Sequence, residues 1–234
     1  MHLNYFIYSP ILVFSILLSF YILSRNARKS INIILGTLIL SLSFWVFCLL
    51  LTDTAQEIPK ALFWGKLAII GPAFIPVIFL LFSMFFISEG IHFKIFDWIM
   101  YFAPAVIFSG LSLTDLNVRD VKIQTWGTEV YAGILYPILF FYFTLYFTIA
   151  FMNLIKKYKK ANYVIKNQIK YIFVGAIIAV IMGVTTNLFL VQIGISQFSV
   201  LGPFSILIFI GFTFYAITKH RLMDITIVIR KATA

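Results

Sequence analysis

The sequence predicts an all-α, polytopic membrane protein: a bundle of seven transmembrane helices with its N-terminus outside and its C-terminus in the cytoplasm. Three observations support this prediction. Of the 234 residues, 62% are hydrophobic and only 11% are charged, whereas an average soluble domain is about 25% charged. The apolar residues form seven stretches of about 20 residues, the length at which a helix crosses a bilayer. The Lys and Arg residues gather in alternate loops.

The apolar stretches are continuous, which favours helices over the alternating strands of a membrane β-barrel. In chain order we predict transmembrane helices at residues 5–23, 31–51, 67–87, 95–113, 132–152, 171–191 and 198–217. An odd number of crossings places the two ends of the chain on opposite sides of the membrane. We therefore predict a seven-transmembrane domain over residues 1–218. A basic cytoplasmic tail over 219–234 would then link it to an output module that is either missing or separate.

The distribution of basic residues predicts which side of the membrane each loop faces. Fourteen of the 18 Lys and Arg residues fall on the side that contains the loop 153–170 and the tail. Short cytoplasmic loops carry the Lys and Arg excess, so this side is predicted to be cytoplasmic and the membrane to be the cell membrane. This topology explains the net charge of +10 without nucleic-acid binding, and the lipid bilayer is the expected partner.

Three further features qualify the predicted spans. The third span contains Gly71-Pro72 and Pro76, and proline kinks a helix. The kink is interpreted first as simple packing geometry, with a pocket wall or a hinge as the functional alternatives. The longest outer segment, 114–131, is expected to be a solvated connector or a lid over the bundle. The longest inner segment, 153–170, is expected to extend the fifth and sixth spans as helices.

The sequence predicts no catalytic, metal or cofactor chemistry. The three histidines lie at or beyond the ends of spans, and no Cys/His metal spacing or glycine-rich phosphate loop is present. The interiors of the spans are almost free of charged residues, which argues against a pump, a channel or an ion-coupled carrier. The single cysteine, Cys48, lies within a span and is interpreted as apolar filler.

A small-ligand site is predicted in the outer half of the bundle, where aromatic and amide side chains provide an apolar wall with a few hydrogen-bonding groups. The densest polar cluster within a span is Thr185-Thr186-Asn187; it is interpreted either as interhelical glue or as the lining of a cavity. The residues chosen as candidate ligand contacts are Trp126, Tyr131, Tyr136, Asn187 and Gln192.

Three passages resemble the seven-transmembrane N-terminal sensor region of bacterial and archaeal sensor histidine kinases. They are residues 63–67 leading to 71–76 and Phe82, residues 167–175 entering the sixth span, and residues 215–225 leaving the seventh. The last passage, Tyr-Ala-Ile-Thr-Lys-His-Arg-Leu-Met-Asp-Ile, is the most specific. The resemblance covers essentially the whole chain.

The resemblance implies a signal-input domain that passes an external or membrane signal inward through the seventh span and the tail. It implies an unknown small ligand, a cytoplasmic signalling domain in cis or in trans, and leaves a homodimer open. The residues implied in signal output are His220, Arg221, Leu222 and Asp224. The chain lacks phospho-acceptor and ATP-binding motifs, so it is not predicted to be an enzyme by itself.

Two other classes of function remain open at this point. One is a transporter of small solutes or lipids, although the halves of the sequence show no convincing repeat of the kind on which many transporters are built. The other is a structural or adaptor membrane subunit without a ligand. Flux into proteoliposomes would identify the first, and copurification of a cytoplasmic partner that depends on residues 219–234 would identify the second.

Overall fold

A computed structural model describes residues 3–25, 29–86 and 93–220 and is predominantly helical. The helices are α1 (Leu3–Arg25), α2 (Ser30–Thr54), α3 (Ile58–Leu67), α4 (Ile70–Phe85), α5 (Ile95–Gly110), α6 (Tyr136–Lys160), α7 (Tyr163–Gly183), α8 (Leu190–Gln192) and α9 (Leu201–His220). A π-helical segment, Val184–Phe189, joins α7 to α8. Within the described ranges, six helical segments are long and apolar enough to cross a membrane, and α5 is a shorter apolar helix. The predicted helical membrane bundle is confirmed.

The third span differs from its predicted bounds of 67–87. It begins at Ile58 and consists of α3 and α4, with a break at Ala68 and Ile69. Pro72 causes such a break, because it has no N–H to donate to the carbonyl of Ala68 and its ring clashes with that carbonyl. The sequence therefore located the kink correctly but missed the extra turns before it.

The long helices form a closed ring, in which α1 packs against α2, and then α4, α6, α7 and α9 follow in order, with α9 returning to α1. Helix α5 packs on the outside of this ring, against α4. Large apolar side chains point away from the ring, such as Phe14 at 62% exposure and Phe141 at 69%. Such an apolar exterior suits a protein whose solvent is lipid.

A β-hairpin between α5 and α6 is the main feature that the all-α prediction did not contain. Strands β1 (Val118–Gln124) and β2 (Gly127–Ala132) pair antiparallel where an irregular connector or lid was expected. β1 buries Val118 and Val121, and Gly127 follows the tight turn with a φ of +147°, a conformation that glycine adopts at little cost. The hairpin was missed because its strands are short and carry charged residues between the apolar ones.

The ring has two distinct ends because successive helices alternate in direction. The hairpin end holds the start of α1 and the end of α2, and the opposite end holds the connection from α6 to α7. At this opposite end Lys157 Nζ donates to the carbonyls of Met84 and Phe86, the latter at 2.6 Å. A cation at the end of a helix also interacts favourably with the helix dipole. α6 reaches Lys160 and α7 begins at Tyr163, as expected for the segment 153–170.

Candidate functional site

The ring encloses a cavity of about 120 Å³. An engineered apolar cavity of roughly 150 Å³ is large enough to bind benzene. Helices α2, α4, α6, α7 and α9 all contribute to the wall, which is mostly apolar. Its larger aliphatic and aromatic members include Leu38, Leu42, Trp45, Leu49, Ile75, Phe79, Leu139, Phe143, Phe147, Val180, Ile206 and Phe209. The cavity thus touches most of the spans at once, including the last one.

The break between α3 and α4 forms part of this wall. Gly65, Ala68, Ile69 and Pro72 all line the cavity, so the residues at which the helix deviates are the residues that border the open space. Of the two functional interpretations of the proline pattern, a pocket wall and a hinge, the geometry corresponds to a pocket wall.

A buried carboxylate closes the hairpin end of the cavity. Asp53, near the end of α2, is 6% exposed and lines the cavity. Its Oδ2 accepts hydrogen bonds from Asn4 Nδ2 at 2.7 Å and from the Tyr8 hydroxyl at 2.9 Å, and its Oδ1 accepts one from the Thr128 N–H at 3.0 Å. A carboxylate away from water requires such donors. Asp53 therefore ties α1, α2 and the hairpin together.

The hairpin covers this end of the cavity through three further hydrogen bonds. Asn4 Nδ2 also donates to the Trp126 carbonyl at 3.0 Å, and the Thr128 hydroxyl donates to the Thr52 carbonyl at 3.0 Å. The Val130 N–H donates to Ser196 Oγ at 3.2 Å. Gly127 permits the close approach, since a Cβ there would lie 2.8 Å from Asn4 Nδ2. The segment suggested as a lid by the sequence lies directly over the bundle.

The π-helical segment places one residue of the polar cluster of the sixth span, Asn187, at the cavity. Its main-chain carbonyl accepts a hydrogen bond from the Tyr136 hydroxyl at 2.6 Å. Its side-chain Nδ2 donates to Thr186 Oγ1 at 2.9 Å. Single π-helical turns within α-helices often occur at functional sites. Here the wider turn joins α7 to α6 through Tyr136.

Two glycines bring α4 and α9 against Trp45 of α2. A Cβ on Gly71 would lie 2.6 Å from Trp45 Cβ, and a Cβ on Gly202 would lie 3.1 Å from Trp45 Cη2. The same Cβ on Gly202 would lie 1.9 Å from Asn187 Nδ2. Small residues allow membrane helices to approach closely, so the start of α9 is held against both Trp45 and Asn187.

The structure brings together two of the five candidate ligand contacts. Tyr136 and Asn187 line the cavity and are hydrogen-bonded to each other. Trp126 lies half-buried in the hairpin turn and takes part in the Asp53 cluster through its carbonyl. Tyr131 and Gln192 are exposed on the hairpin and at the end of α8, and neither is part of the cavity wall. Ligand binding by any of these residues stays a prediction.

The Asp53 cluster was not foreseen as a unit. Asp53, Asn4 and Tyr8 were not among the residues chosen from the sequence. The predicted topology does place the start of the first span and the end of the second on the same side. The amide of Asn4 and the carboxylate of Asp53 at those positions were the signal from which a hydrogen bond between the two helices could have been predicted. None of the four predicted output residues has a described side chain: His220 ends α9 with its backbone alone described, and Arg221, Leu222 and Asp224 lie outside the described residues.

The side chains of the cavity wall are suited to binding a small molecule. No group of three or more His, Cys, Asp or Glu residues that could hold a metal ion occurs among the residues described. The polar side chains in the wall are hydroxyls, one amide and the carboxylate of Asp53. These groups recognise a ligand by hydrogen bonding within an apolar enclosure, as is usual for small-molecule sites.

Comparison with known protein families gives one match. A family model described as the N-terminal 7TM region of histidine kinase matches residues 8–226. No curated protein and no solved structure was found to match the chain. The family match extends over nearly the whole chain and agrees with the resemblance found in the three sequence passages.

Proposed function

Because the chain belongs to the N-terminal seven-transmembrane region of histidine kinases, we propose that it is the signal-input domain of such a kinase. It is a multi-pass membrane protein and represents the sensor region rather than a kinase catalytic domain. In this proposal a signal from outside the cell or from the membrane changes the packing of α9, and the tail after α9 carries the change to a cytoplasmic signalling domain in cis. His220, Arg221, Leu222 and Asp224 are the proposed output residues.

The proposed orientation places the hairpin end outside and the end of α9 in the cytoplasm of a cell-membrane protein. The charges of the described residues support it. The opposite end carries Lys156, Lys157, Lys159 and Lys160 of α6, and basic residues favour the cytoplasmic side. The Asp53 cluster and the end of the cavity that the hairpin covers would then lie near the outer surface, where an external ligand arrives.

The observation that carries the proposal is the contribution of α9 to the cavity wall. Ser205, Ile206 and Phe209 of α9 line the cavity, so a molecule inside it contacts the helix that leads to the tail. A ligand shifts a two-state equilibrium only through different affinities for the two states. A ligand that contacts five helices at once would bind the two states with different affinities, because those helices are packed differently in each state.

A cavity-filling substitution tests this proposal. Ala179 of α7 lines the cavity, and its carbonyl accepts a hydrogen bond from Ser205 Oγ at 3.2 Å. We expect Ala179→Phe, in the chain fused at Ala234 to a histidine-kinase core, to change basal autophosphorylation in membrane vesicles several-fold, because the added ring presses on α9. A shift of 1.4 kcal/mol between two signalling states corresponds to a tenfold change in their ratio.

The matched control is Ile181→Phe on the same helix. Ile181 is 59% exposed, so the added ring points away from the cavity toward lipid and autophosphorylation is expected to stay unchanged. The thermal unfolding of both variants in detergent establishes that each is folded. Equal autophosphorylation by the folded Ala179→Phe variant and the unsubstituted chain would contradict the proposal that the cavity controls α9.

A further inference from the structure

Among the residues that line the cavity, Asn187 and Ser199 each carry a side-chain oxygen that forms no hydrogen bond with the described part of the chain. These oxygens are Asn187 Oδ1 and Ser199 Oγ. The two residues meet at the start of α9: the Gly202 N–H donates to the Ser199 carbonyl at 3.2 Å, and Gly202 lies against the Asn187 amide. Asn187 and Ser199 are both half-buried, and neither atom is a fully buried one without a partner, so a hydroxyl group in the cavity can reach them and form the hydrogen bonds that the protein does not supply.

The hydrogen bonds around Asn187 determine which of its amide atoms is left. The Thr186 hydroxyl donates its hydrogen to the Met182 carbonyl at 2.8 Å, so its oxygen acts as an acceptor toward Asn187. The Asn187 atom that faces it at 2.9 Å must therefore be the Nδ2 donor. The remaining atom, Oδ1, is an acceptor only. Ser199 Oγ both donates and accepts.

The charges of the wall argue against an anion and favour a neutral molecule. No Lys, Arg or His belongs to the described lining, so an anion finds no counter-charge. The single acidic residue of that lining, Asp53, already accepts hydrogen bonds from Asn4, Tyr8 and Thr128. A neutral occupant leaves these hydrogen bonds intact. Burying a charge without a partner is strongly unfavourable.

We propose that the cavity binds a small neutral molecule with an apolar body of about the size of a benzene ring and one hydroxyl group. The hydroxyl group donates to Asn187 Oδ1 and accepts from Ser199 Oγ, and the body packs among Trp45, Phe143 and Phe209. This inference rests on the proposed function in one respect: it assigns a ligand class to the cavity that is proposed to control α9. Phenol and short-chain alcohols have the required chemistry.

Three probes of similar size test the ligand class on the chain in lipid nanodiscs, with empty nanodiscs measured in parallel to subtract partition into lipid. Phenol carries the hydroxyl group, toluene replaces it with a methyl group, and benzoate carries a charge. By calorimetric titration we expect phenol to bind about threefold to tenfold more tightly than toluene, as for one or two buried hydrogen bonds. We expect benzoate to bind at least about 100-fold more weakly than phenol.

Substitutions assign the effect to the two polar residues. Asn187→Leu and Ser199→Ala are each expected to remove the preference for phenol over toluene while toluene affinity is kept. Thr185→Val is the matched control, because Thr185 belongs to the same π-helical segment but is exposed and lies away from the cavity wall. It is expected to keep the preference.

Equal affinity for phenol and toluene in the unsubstituted chain, binding of benzoate as tight as that of phenol, or no saturable binding of any probe would each overturn the inference. The comparison of probes does not require a folded Asn187→Leu variant. It is also independent of the proposed function, since Ala179→Phe would still change autophosphorylation if the occupant belonged to another chemical class.

Discussion

Replacing Asp53 by alanine is expected to release the hairpin from the end of the bundle. The carboxylate holds Asn4, Tyr8 and the Thr128 N–H, and the alanine side chain can accept none of these hydrogen bonds. Asn4 keeps a second acceptor in the Trp126 carbonyl at 3.0 Å. The Tyr8 hydroxyl and the Thr128 N–H, both in buried residues, lose their acceptor.

The magnitude follows from these two donors. Leaving a buried donor without a partner costs about 1–3 kcal/mol, so Asp53→Ala should lower the free energy of hairpin release by about 2–6 kcal/mol. Even the lower value corresponds to roughly 30-fold faster hydrogen exchange, at a factor of ten for each ~1.4 kcal/mol. Tyr8→Phe removes only one hydrogen bond and should have a smaller effect. In the Asp53→Ala background, Tyr8→Phe should instead recover part of the loss, because it removes the hydroxyl group that is otherwise buried without an acceptor.

Hydrogen exchange measured by mass spectrometry in lipid nanodiscs reads this effect at the hairpin amides, particularly those of Thr128 and Val130. Asp120→Ala is the matched control. Asp120 is an exposed carboxylate on the same hairpin, and its Oδ1 accepts a hydrogen bond only from the adjacent Val121 N–H, at 2.8 Å, among the described residues. If Asp53→Ala exchanged no faster than Asp120→Ala, the view that the buried carboxylate holds the hairpin would be refuted.

Two further predictions concern helix packing and orientation. Gly71→Ala is expected to lower stability by about 1–3 kcal/mol through overpacking, because the new Cβ would lie 2.6 Å from Trp45 Cβ and 3.1 Å from the Ser41 carbonyl. Thermal unfolding in detergent measures this loss of stability. The control Gly211→Ala, whose Cβ faces open space, should cause no loss. A reporter that is active only outside the cytoplasm should be inactive when fused at Ala234, and an active fusion would contradict the proposed orientation.

The helices and the kink could be predicted because both depend on local sequence. The length of an apolar stretch fixes whether a helix spans the bilayer, and Pro72 breaks a helix whatever surrounds it. The family could be recognised from three short passages for the same reason. The bounds were less accurate, as the early start of α3 at Ile58 shows, because polar residues at a span end are tolerated in several conformations.

Two of the five candidate ligand contacts line the cavity, and ligand binding by them stays a prediction. Asn187 was chosen because an amide within an apolar span is unusual, and Tyr136 because an aromatic residue stands at the start of one; both line the cavity. Tyr131 and Gln192 were chosen on the same grounds and are exposed. Residue type alone does not reveal which side of a helix faces the centre of the ring, since the lipid-facing side of these spans is equally apolar.

The sequence by itself determined the class of the protein and the family to which it belongs, because hydropathy and charge act on each segment separately. Only the tertiary structure decided that Asn4, Asp53 and Thr128 meet, that a hairpin covers the ring, and that Asn187 and Ser199 border one cavity with α9. Asp53 and its hairpin partner are 75 residues apart in the chain. Such contacts depend on the rotation and packing of whole helices, which no single segment encodes.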